Sequence, residues 1–243
     1  MDLKTLKSYF EVYENPFSVL FNVVRSKFPF EAKLKSGHMI QIKSKRHAWF
    51  YTTLHGLDIK HVDDTFIEFK YGERLLRFYY DLSQYISIGE VFRDGIYNID
   101  VKGRVVVDIG SGIGDSSVYF ALKGAKKVYA FDLDIEFLKK NIKENGFTDI
   151  IIPIKCECGS VNNLDVITYN YNIPEGSVLK VDCEGCEYDF FAKSSTLNKY
   201  SSIIIEYHNG TQYLPELLRS AGFSVKIKQS KHNIGLIYAN YVK

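Results

Sequence analysis

Two rhythms divide the chain. From about residue 103, apolar runs of strand length alternate with apolar residues at helical spacing. Arg104 to Ile109 reads as a strand, Gly110 to Gly114 as a glycine-rich turn, and Val118, Ala121 and Leu122 as a helix closed by Gly124. Lys127 to Phe131 is a second strand, and Asp134 is placed to cap a helix bearing Ile135, Leu138 and Ile142. Ile150 to Ile154 is a third strand, and Asn163 precedes a short helix with Leu164, Ile167 and Tyr171. Val178 to Val181 and Ile203 to Tyr207 are the fourth and fifth strands. A helix over Glu216 to Ser220 ends at Gly222, and Phe223 to Ile227 and Gly235 to Tyr241 finish as two strands. Strands alternating with helices predict βαβ units and a parallel sheet with right-handed crossovers. The last two strands lie too close in sequence for a helical crossover, so they predict an antiparallel hairpin. The expected fold class is a doubly wound, mostly parallel, seven-stranded Rossmann-like α/β sheet with an antiparallel C-terminal strand.

Residues 1 to about 86 are less regular. Leu3, Leu6, Phe10 and Tyr13 recur at helical spacing behind Asp2 as N-cap. Asn15-Pro16 then opens a helix with Phe17, Leu20, Phe21, Val24 and Phe28 on one face, ended by Phe28-Pro29-Phe30. Strands are expected near 31–35 and 39–43, then a helix containing Trp49, Phe50, Thr53 and Leu54. Thr65, Ile67, Phe69 and Tyr71 alternate, and Gly72-Glu73 turns the chain into Leu75 to Tyr80, a hairpin signal. The expected division is an N-terminal accessory segment at 1–86 and a catalytic domain at 87–243, the first capping the acceptor side.

With 243 residues, 46% hydrophobic and 25% charged, the chain is ordinary globular material rather than disordered. Its 18 Tyr, 17 Phe and 1 Trp are spread throughout and serve as core and cleft material; an aromatic excess also suits a homodimer face. Net charge is +2, which gives no general field for nucleic acid or an anionic membrane. No apolar run approaches the ~20 residues of a membrane span, and the start lacks a signal-peptide core. The expected setting is therefore cytoplasmic, with no nucleic-acid or membrane partner.

Val107-Asp108-Ile109-Gly110-Ser111-Gly112-Ile113-Gly114-Asp115 lies between a strand and a helix, where glycines allow a tight turn and close approach to a ligand. Asp115 stands where a dinucleotide fingerprint wants glycine, and its carboxylate opposes a pyrophosphate but not a ligand bearing an amino group. Asp132 ends the second strand, where an acid accepts hydrogen bonds from ribose hydroxyls.

Val105 to Phe120, Lys127 to Asp132, and the run Lys180-Val181-Asp182-Cys183-Glu184-Gly185-Cys186-Glu187 resemble the FkbM-type S-adenosylmethionine-dependent methyltransferases. Gly89-Glu90-Val91-Phe92 and Ile203 to His208 also fit that pattern, so the resemblance covers about residues 87 to 240. It implies the methyltransferase version of the sheet and S-adenosyl-L-methionine as cofactor. It further implies that Asp108, Gly110, Ser111, Gly112 and Gly114 hold the methionine end and ribose. Asp115 and the Ser116/Ser117 helix start then meet the amino-acid moiety, Asp132 the ribose and Leu133 the adenine. The turn after the third strand, Cys156-Glu157-Cys158-Gly159-Ser160, departs from the usual acid or amide, leaving a backbone group near Gly159 or Ser160 for the adenine edge.

Ligands of an open α/β sheet sit beyond the carboxyl ends of the strands. Asp182 and Glu184 follow strand four, Glu187 opens the next helix, and Glu206 and His208 end strand five on one face if that strand persists. In-line methyl transfer needs positioning first and, for a hydroxyl, a proton acceptor. His208 is the first choice for that base, because its unperturbed pKa lies near neutrality. Glu184 is the second choice or a hydroxyl ligand, Asp182 orients cofactor or acceptor, and Glu206 completes the acidic rim. The resemblance implies O-methylation of a sugar or other small polyhydroxy acceptor, a glycan among them. A non-catalytic binding or scaffold protein and a nicotinamide dehydrogenase are the rival readings.

No metal site is expected. Oxygen ligands on the rim suit magnesium but no spacing compels it. Cys156-x-Cys158 and Cys183-x-x-Cys186 have zinc-like spacing, yet the sheet order separates the pairs by ~14 Å at ~4.8 Å per strand, too far for one tetrahedral site. A Cys183–Cys186 disulfide is conceivable, with reduced thiols the default for a chain of this length.

Overall fold

The computed structural model describes residues 3–82, 86–231 and 233–242, with backbone alone for 3–5, 230 and 231. The chain divides into two compact units, Met1–Ile96 and Tyr97–Lys243.

The first unit opens with helices α1 (Leu3–Val12) and α2 (Pro16–Val24), then a two-stranded antiparallel sheet of β1 (Phe30–Lys33) and β2 (Met39–Ile42). Helix α3 (Lys45–Thr53) starts where the Ser44 hydroxyl accepts a hydrogen bond from the His47 N–H at 3.2 Å. A three-stranded antiparallel sheet follows, β3 (Asp58–Val62), β4 (Phe66–Tyr71) and β5 (Arg74–Tyr79), and then helix α4 (Ile88–Phe92). Phe69, Phe78 and Phe92 pack ring against ring at 5.1–6.1 Å, which ties α4 to this sheet. The sequence shows the β4–β5 hairpin but not β3, whose Asp58, Lys60 and His61 mask its alternation.

The expected buried face of α2 is corrected. Val19 and Val23 are buried, while Phe17, Phe21 and Val24 are exposed. This helix is apolar nearly all round, so spacing alone offers two faces and the packing selects the smaller residues. The N-cap expected at Asp2 lies outside the described residues.

The second unit carries β6 (Val105–Ile109), α5 (Asp115–Leu122), β7 (Lys127–Asp132), α6 (Glu136–Glu144), β8 (Ile151–Lys155), α7 (Leu164–Asn170), β9 (Ser177–Val181), α8 (Glu187–Phe191), β10 (Tyr200–Tyr207), α9 (Leu214–Ser220), β11 (Phe223–Lys231) and β12 (Ile234–Tyr241). The sheet order is β11-β12-β10-β9-β6-β7-β8. Every pair from β10 to β8 is parallel, and β12 runs antiparallel between β10 and β11. This is the seven-stranded methyltransferase topology expected from the sequence. Central strands are apolar on both faces because helices cover both, as in β6 and β9, where nearly every residue is buried. The strand order reverses beside β6, so the carboxyl ends of β6, β7, β9 and β10 converge there.

Gly110 is the tightest point of that edge. It has φ +70°, and a Cβ built there would lie 1.7 Å from the Asp182 carbonyl oxygen. Gly112 also has positive φ, +52°, but faces open space. Gly110→Ala is therefore expected to destabilise the chain by about 3 kcal/mol or more, and Gly112→Ala by about 1 kcal/mol. Urea denaturation of the two variants checks this; equal losses would contradict the close approach.

Candidate active site at the carboxyl edge of the sheet

The glycine loop is fastened from beneath. Asp108 is fully buried on β6, and its Oδ2 accepts hydrogen bonds from the Ser116 and Ser117 hydroxyls at 2.7 and 2.6 Å. Its Oδ1 lies 3.1 Å from the Lys180 ammonium. Lys180 is itself buried in β9, and Nζ also donates to the carbonyl oxygens of Ile109 and Gly110 at 3.3 and 2.5 Å. Burial alone would pull the lysine pKa down, but Asp108 and then Asp182 outweigh it and hold the group above its ordinary value. The Ser111 hydroxyl donates to the Phe131 carbonyl at 3.2 Å, and the Asn141 amide holds the Ile113 carbonyl at 2.8 Å.

The side chains of Asp108, Ser111 and Ser117, three of the residues expected at the cofactor, are buried and bonded inward, so these side chains shape the loop. Asp115 is also buried, its carboxylate accepting from the Ser116 N–H at 3.0 Å.

Other expected residues do face the edge. Asp132, at the end of β7, accepts from the Gly112 N–H at 2.7 Å and the Asp134 N–H at 3.2 Å. Leu133 beside it is 63% exposed, an apolar side chain presented to solvent where a flat ring can lie. Ser160 is exposed in the turn after β8, and the Gly159 N–H donates to the Asn162 carbonyl at 3.3 Å.

Beyond β9 the acids gather around one imidazole. His208 Nδ1 lies 3.3 Å from Glu187, while Nε2 lies 3.6 Å from Glu184 and 3.8 Å from Asp182. Glu187 is fully buried and also accepts from the backbone N–H groups of His208 and Gly185 at 2.9 and 2.8 Å. The Glu187 hydrogen bond raises the His208 pKa to about 9 against the opposing effect of burial, with Asp182 and Glu184 adding to the rise. His208 is therefore an imidazolium at neutral pH. That does not suit the expected role of proton acceptor, since the ring already carries the proton. Burial pushes the Glu187 carboxyl up, but the bonds from His208 outweigh it and hold the pKa low.

Asp182 is steadied from the other side by the Tyr97 hydroxyl, which donates to Oδ2 at 2.8 Å. Tyr97 is buried, its ring lies 5.2 Å from the Lys180 ammonium, and burial together with Asp182 and Glu206 keeps its hydroxyl protonated. Glu206 lies two residues beyond Ile204, the register partner of Lys180, and so shares the sheet face of Lys180, while Asp182, Glu184 and Glu187 lie within 4 Å of His208. Strand β10 ends at Tyr207, one residue before His208 can share a face with Glu206. Glu184 is 72% exposed with φ +55°, and Gly185 follows at φ +114°, so the backbone turns over at this point and lifts the carboxylate outward.

Sequence reasoning placed Glu187 at a helix start without a site role, and passed over Lys180 and Tyr97. A lone lysine in an otherwise apolar strand was the available signal for Lys180. Tyr97 carries none, being 85 residues from its partner.

The expectation of reduced thiols is corrected at Cys183 and Cys186, which form a disulfide. The turn brings their Cα atoms to 5.4 Å, inside the bridgeable range of about 4.4–6.8 Å. Cys156 and Cys158 are free, with sulfurs 3.8 Å apart. Among the described residues, no group of three or more His, Cys, Asp or Glu is placed to hold a metal ion, and no helix is long and apolar enough to cross a membrane.

Comparison with known proteins sets the chain in a family. The uncharacterized protein 158B of Sulfolobus islandicus rod-shaped virus 1 is 36% identical over 123 residues, half of this chain and 71% of the viral protein. The chain belongs to that protein's family. A second viral relative, uncharacterized protein 65 of a Sulfolobus islandicus filamentous virus, is 27% identical over 122 residues, again half of this chain and 70% of the other. The TRM5/TYW2 methyltransferase domain model matches residues 73–172. The tRNA (guanine(37)-N(1))-methyltransferase Trm5b of Methanocaldococcus jannaschii is 48% identical over 61 residues, 24% of this chain and 18% of that protein. Among solved structures, the M. jannaschii tRNA m1G37 methyltransferase superposes with TM-score 0.50 at 21% identity, covering 74% of this chain and 58% of that one. M. capricolum TrmK with S-adenosyl-homocysteine also gives 0.50, at 18% identity, covering 66% of this chain and 70% of that one; these two likenesses speak for the fold.

The chain is an S-adenosyl-L-methionine-dependent methyltransferase. The FkbM resemblance does not stand, because the domain model that matches is TRM5/TYW2 and the matched relative is Trm5b. A glycine loop followed by a strand-end acid is common to the class and does not separate its branches. Nor does the exclusion of nucleic acid in favour of a small hydroxyl acceptor stand, since the relatives that overturn it are named for tRNA. Net charge was the weak step, because it averages over a surface on which partners act locally.

The raised pKa of His208 has a consequence for stability. Its folded value of about 9 exceeds the ordinary 6.5, so the Glu187–His208 contact contributes fully below pH 6.5 and is lost as pH rises through 9. Relative to His208→Gln, the parent is expected to lose roughly 1–3 kcal/mol between pH 6 and pH 9.5 in urea titrations. A constant difference across that window would contradict the ion pair.

Proposed function

We propose that the chain transfers a methyl group from S-adenosyl-L-methionine to a ring nitrogen of a tRNA base, with guanine N1 as the acceptor. The likeness to the TRM5/TYW2 domain and to Trm5b supports the substrate class. The observation that carries the acceptor is the side-by-side placement of a donor and an acceptor at the rim, His208 Nε2 and the exposed Glu184 carboxylate, 3.6 Å apart.

Guanine presents O6 and N1–H next to each other on its Watson–Crick edge. An imidazolium Nε2–H suits O6, and a carboxylate suits N1–H. His208 keeps its Nδ1 on Glu187, which leaves Nε2 directed at the rim. Neutral N1 is a poor nucleophile until it loses its proton. Glu184 accepts that proton, and His208 donates to O6, where negative charge gathers as the proton leaves. Asp182, fixed by Tyr97, defines the wall between this pair and the glycine loop.

S-adenosyl-L-methionine, when bound, supplies an electrophilic methyl on a sulfonium. The residues that suit it are Asp132 for the ribose hydroxyls, Leu133 for the adenine face, and the backbone of Gly110 to Gly114 with its open space at Gly112. Gly159 and Ser160 flank the adenine edge in this assignment.

The test is methyl incorporation from labelled cofactor into an unmodified tRNA transcript, followed by nucleoside analysis. Expected are 1-methylguanosine from the parent and a loss of roughly 100-fold or more in kcat for Glu184→Gln. Asp132→Ala is expected to weaken cofactor binding about ten-fold or more by calorimetry. Label appearing only in protein, or in no RNA, would overturn the tRNA reading.

A further inference from the structure

The first unit holds a cavity of about 260 Å³ at the β1–β2 turn, where α1, the end of α3 and β3 meet. Its floor is apolar: Val12, Leu34, Leu54, Leu57 and Ile59. Its rim is polar: Glu11 stands 3.5 Å from the His55 imidazole, with Lys35 and Ser36 on the turn. The volume falls below the roughly 300–1,000 Å³ that holds a drug-sized molecule, so the space fits one or two rings.

The hairpin that lines this cavity is basic outside. Ala32, Leu34, Ile40 and Ile42 are buried, while Lys33, Lys35 and Lys43 between and beside them are exposed, Lys35 at the cavity rim with its ammonium donating to the Phe10 carbonyl at 2.6 Å. From Lys33 to His47 the chain also carries His38, Lys45 and Arg46 and no acidic residue. Lys33 and Lys43 pair with Glu14 and Asp64 on the surface, contacts weak enough to exchange for phosphate.

From this juxtaposition we infer that the cavity takes a single unstacked base of an RNA strand whose phosphates follow the β1–β2 hairpin. A base has flat apolar faces and an edge of donors and acceptors. An apolar floor with a carboxylate, an imidazole and a hydroxyl at its rim answers both, and lysines beside it answer the backbone. The Glu11 carboxylate accepts from a ring N–H or amino group, and Ser36 serves either sense. The inference rests on RNA being the substrate, and it adds a second point of grip, within the first unit.

The test uses the full chain, an unmodified tRNA transcript as probe, and fluorescence anisotropy across a salt series. Ser36→Trp closes the mouth of the cavity from an exposed turn, and Lys35→Ala removes one cation from its rim. Ser36→Trp is expected to bind about ten-fold more weakly with the parent's salt slope, and Lys35→Ala to lower that slope by about one. Both are expected to bind S-adenosyl-L-methionine as the parent does, which shows that they fold. If the parent methylates the transcript and both variants bind it with the parent's affinity and slope, the cavity assignment fails while the RNA reading stands. If the parent takes the cofactor but no transcript, the RNA reading fails and this inference with it. Loss by Ser36→Trp of an aromatic peptide, with the transcript bound normally, would make the cavity a protein site and overturn the assignment.

Discussion

A buried ammonium holds the reacting edge together. Lys180 sits in the middle of the sheet with its Nζ 3.1 Å from Asp108 and 3.9 Å from Asp182, and it caps the carbonyls of Ile109 and Gly110. Burial takes the ammonium out of bulk solvent, and two carboxylates and two carbonyls surround it in compensation. The same contacts fix the turn after β6 to the end of β9. Gly110 can then lie against the Asp182 carbonyl, and the loop keeps the left-handed backbone that its glycines permit.

Outward from Lys180 the charges alternate. Lys180 faces Asp182, Asp182 faces His208, and His208 faces Glu184 and Glu187. The ammonium and the imidazole are each held among carboxylates, so the rim is a preorganised array of alternating charge. The Cys183–Cys186 disulfide spans the turn that carries Glu184, and Gly185 donates its N–H to Glu187, so the exposed carboxylate projects from a loop held at both ends.

The sheet was legible because parallel strands covered on both faces must be largely apolar, and β6, β7 and β9 are, with Asp108, Lys127, Asp132 and Lys180 as their charged exceptions. The glycine loop was legible because a strand-to-helix turn with positive φ at Gly110, Gly112 and Gly114 leaves few residue choices. Site assignments were less legible wherever function depended on direction. Asp108 on β6 and Ser117 on α5 flank the glycine loop, yet their side chains point into the core, and sequence does not say which way a side chain turns. His208 read as a base because its ordinary pKa is near neutral, and the shift came from Glu187, 21 residues away. The exposed face of α2 failed for a related reason, since an all-round apolar helix has no unique buried side.

One experiment probes the ammonium's role most directly. In Lys180→Met alone, Asp108 is left buried and unpaired, whereas Lys180→Met with Asp108→Asn removes both charges and relieves that penalty. If Lys180 organises the site as well as balancing charge, calorimetry on the double variant will find a stably folded chain that binds S-adenosyl-L-methionine at least ten-fold more weakly. A double variant with the parent's affinity would contradict the account.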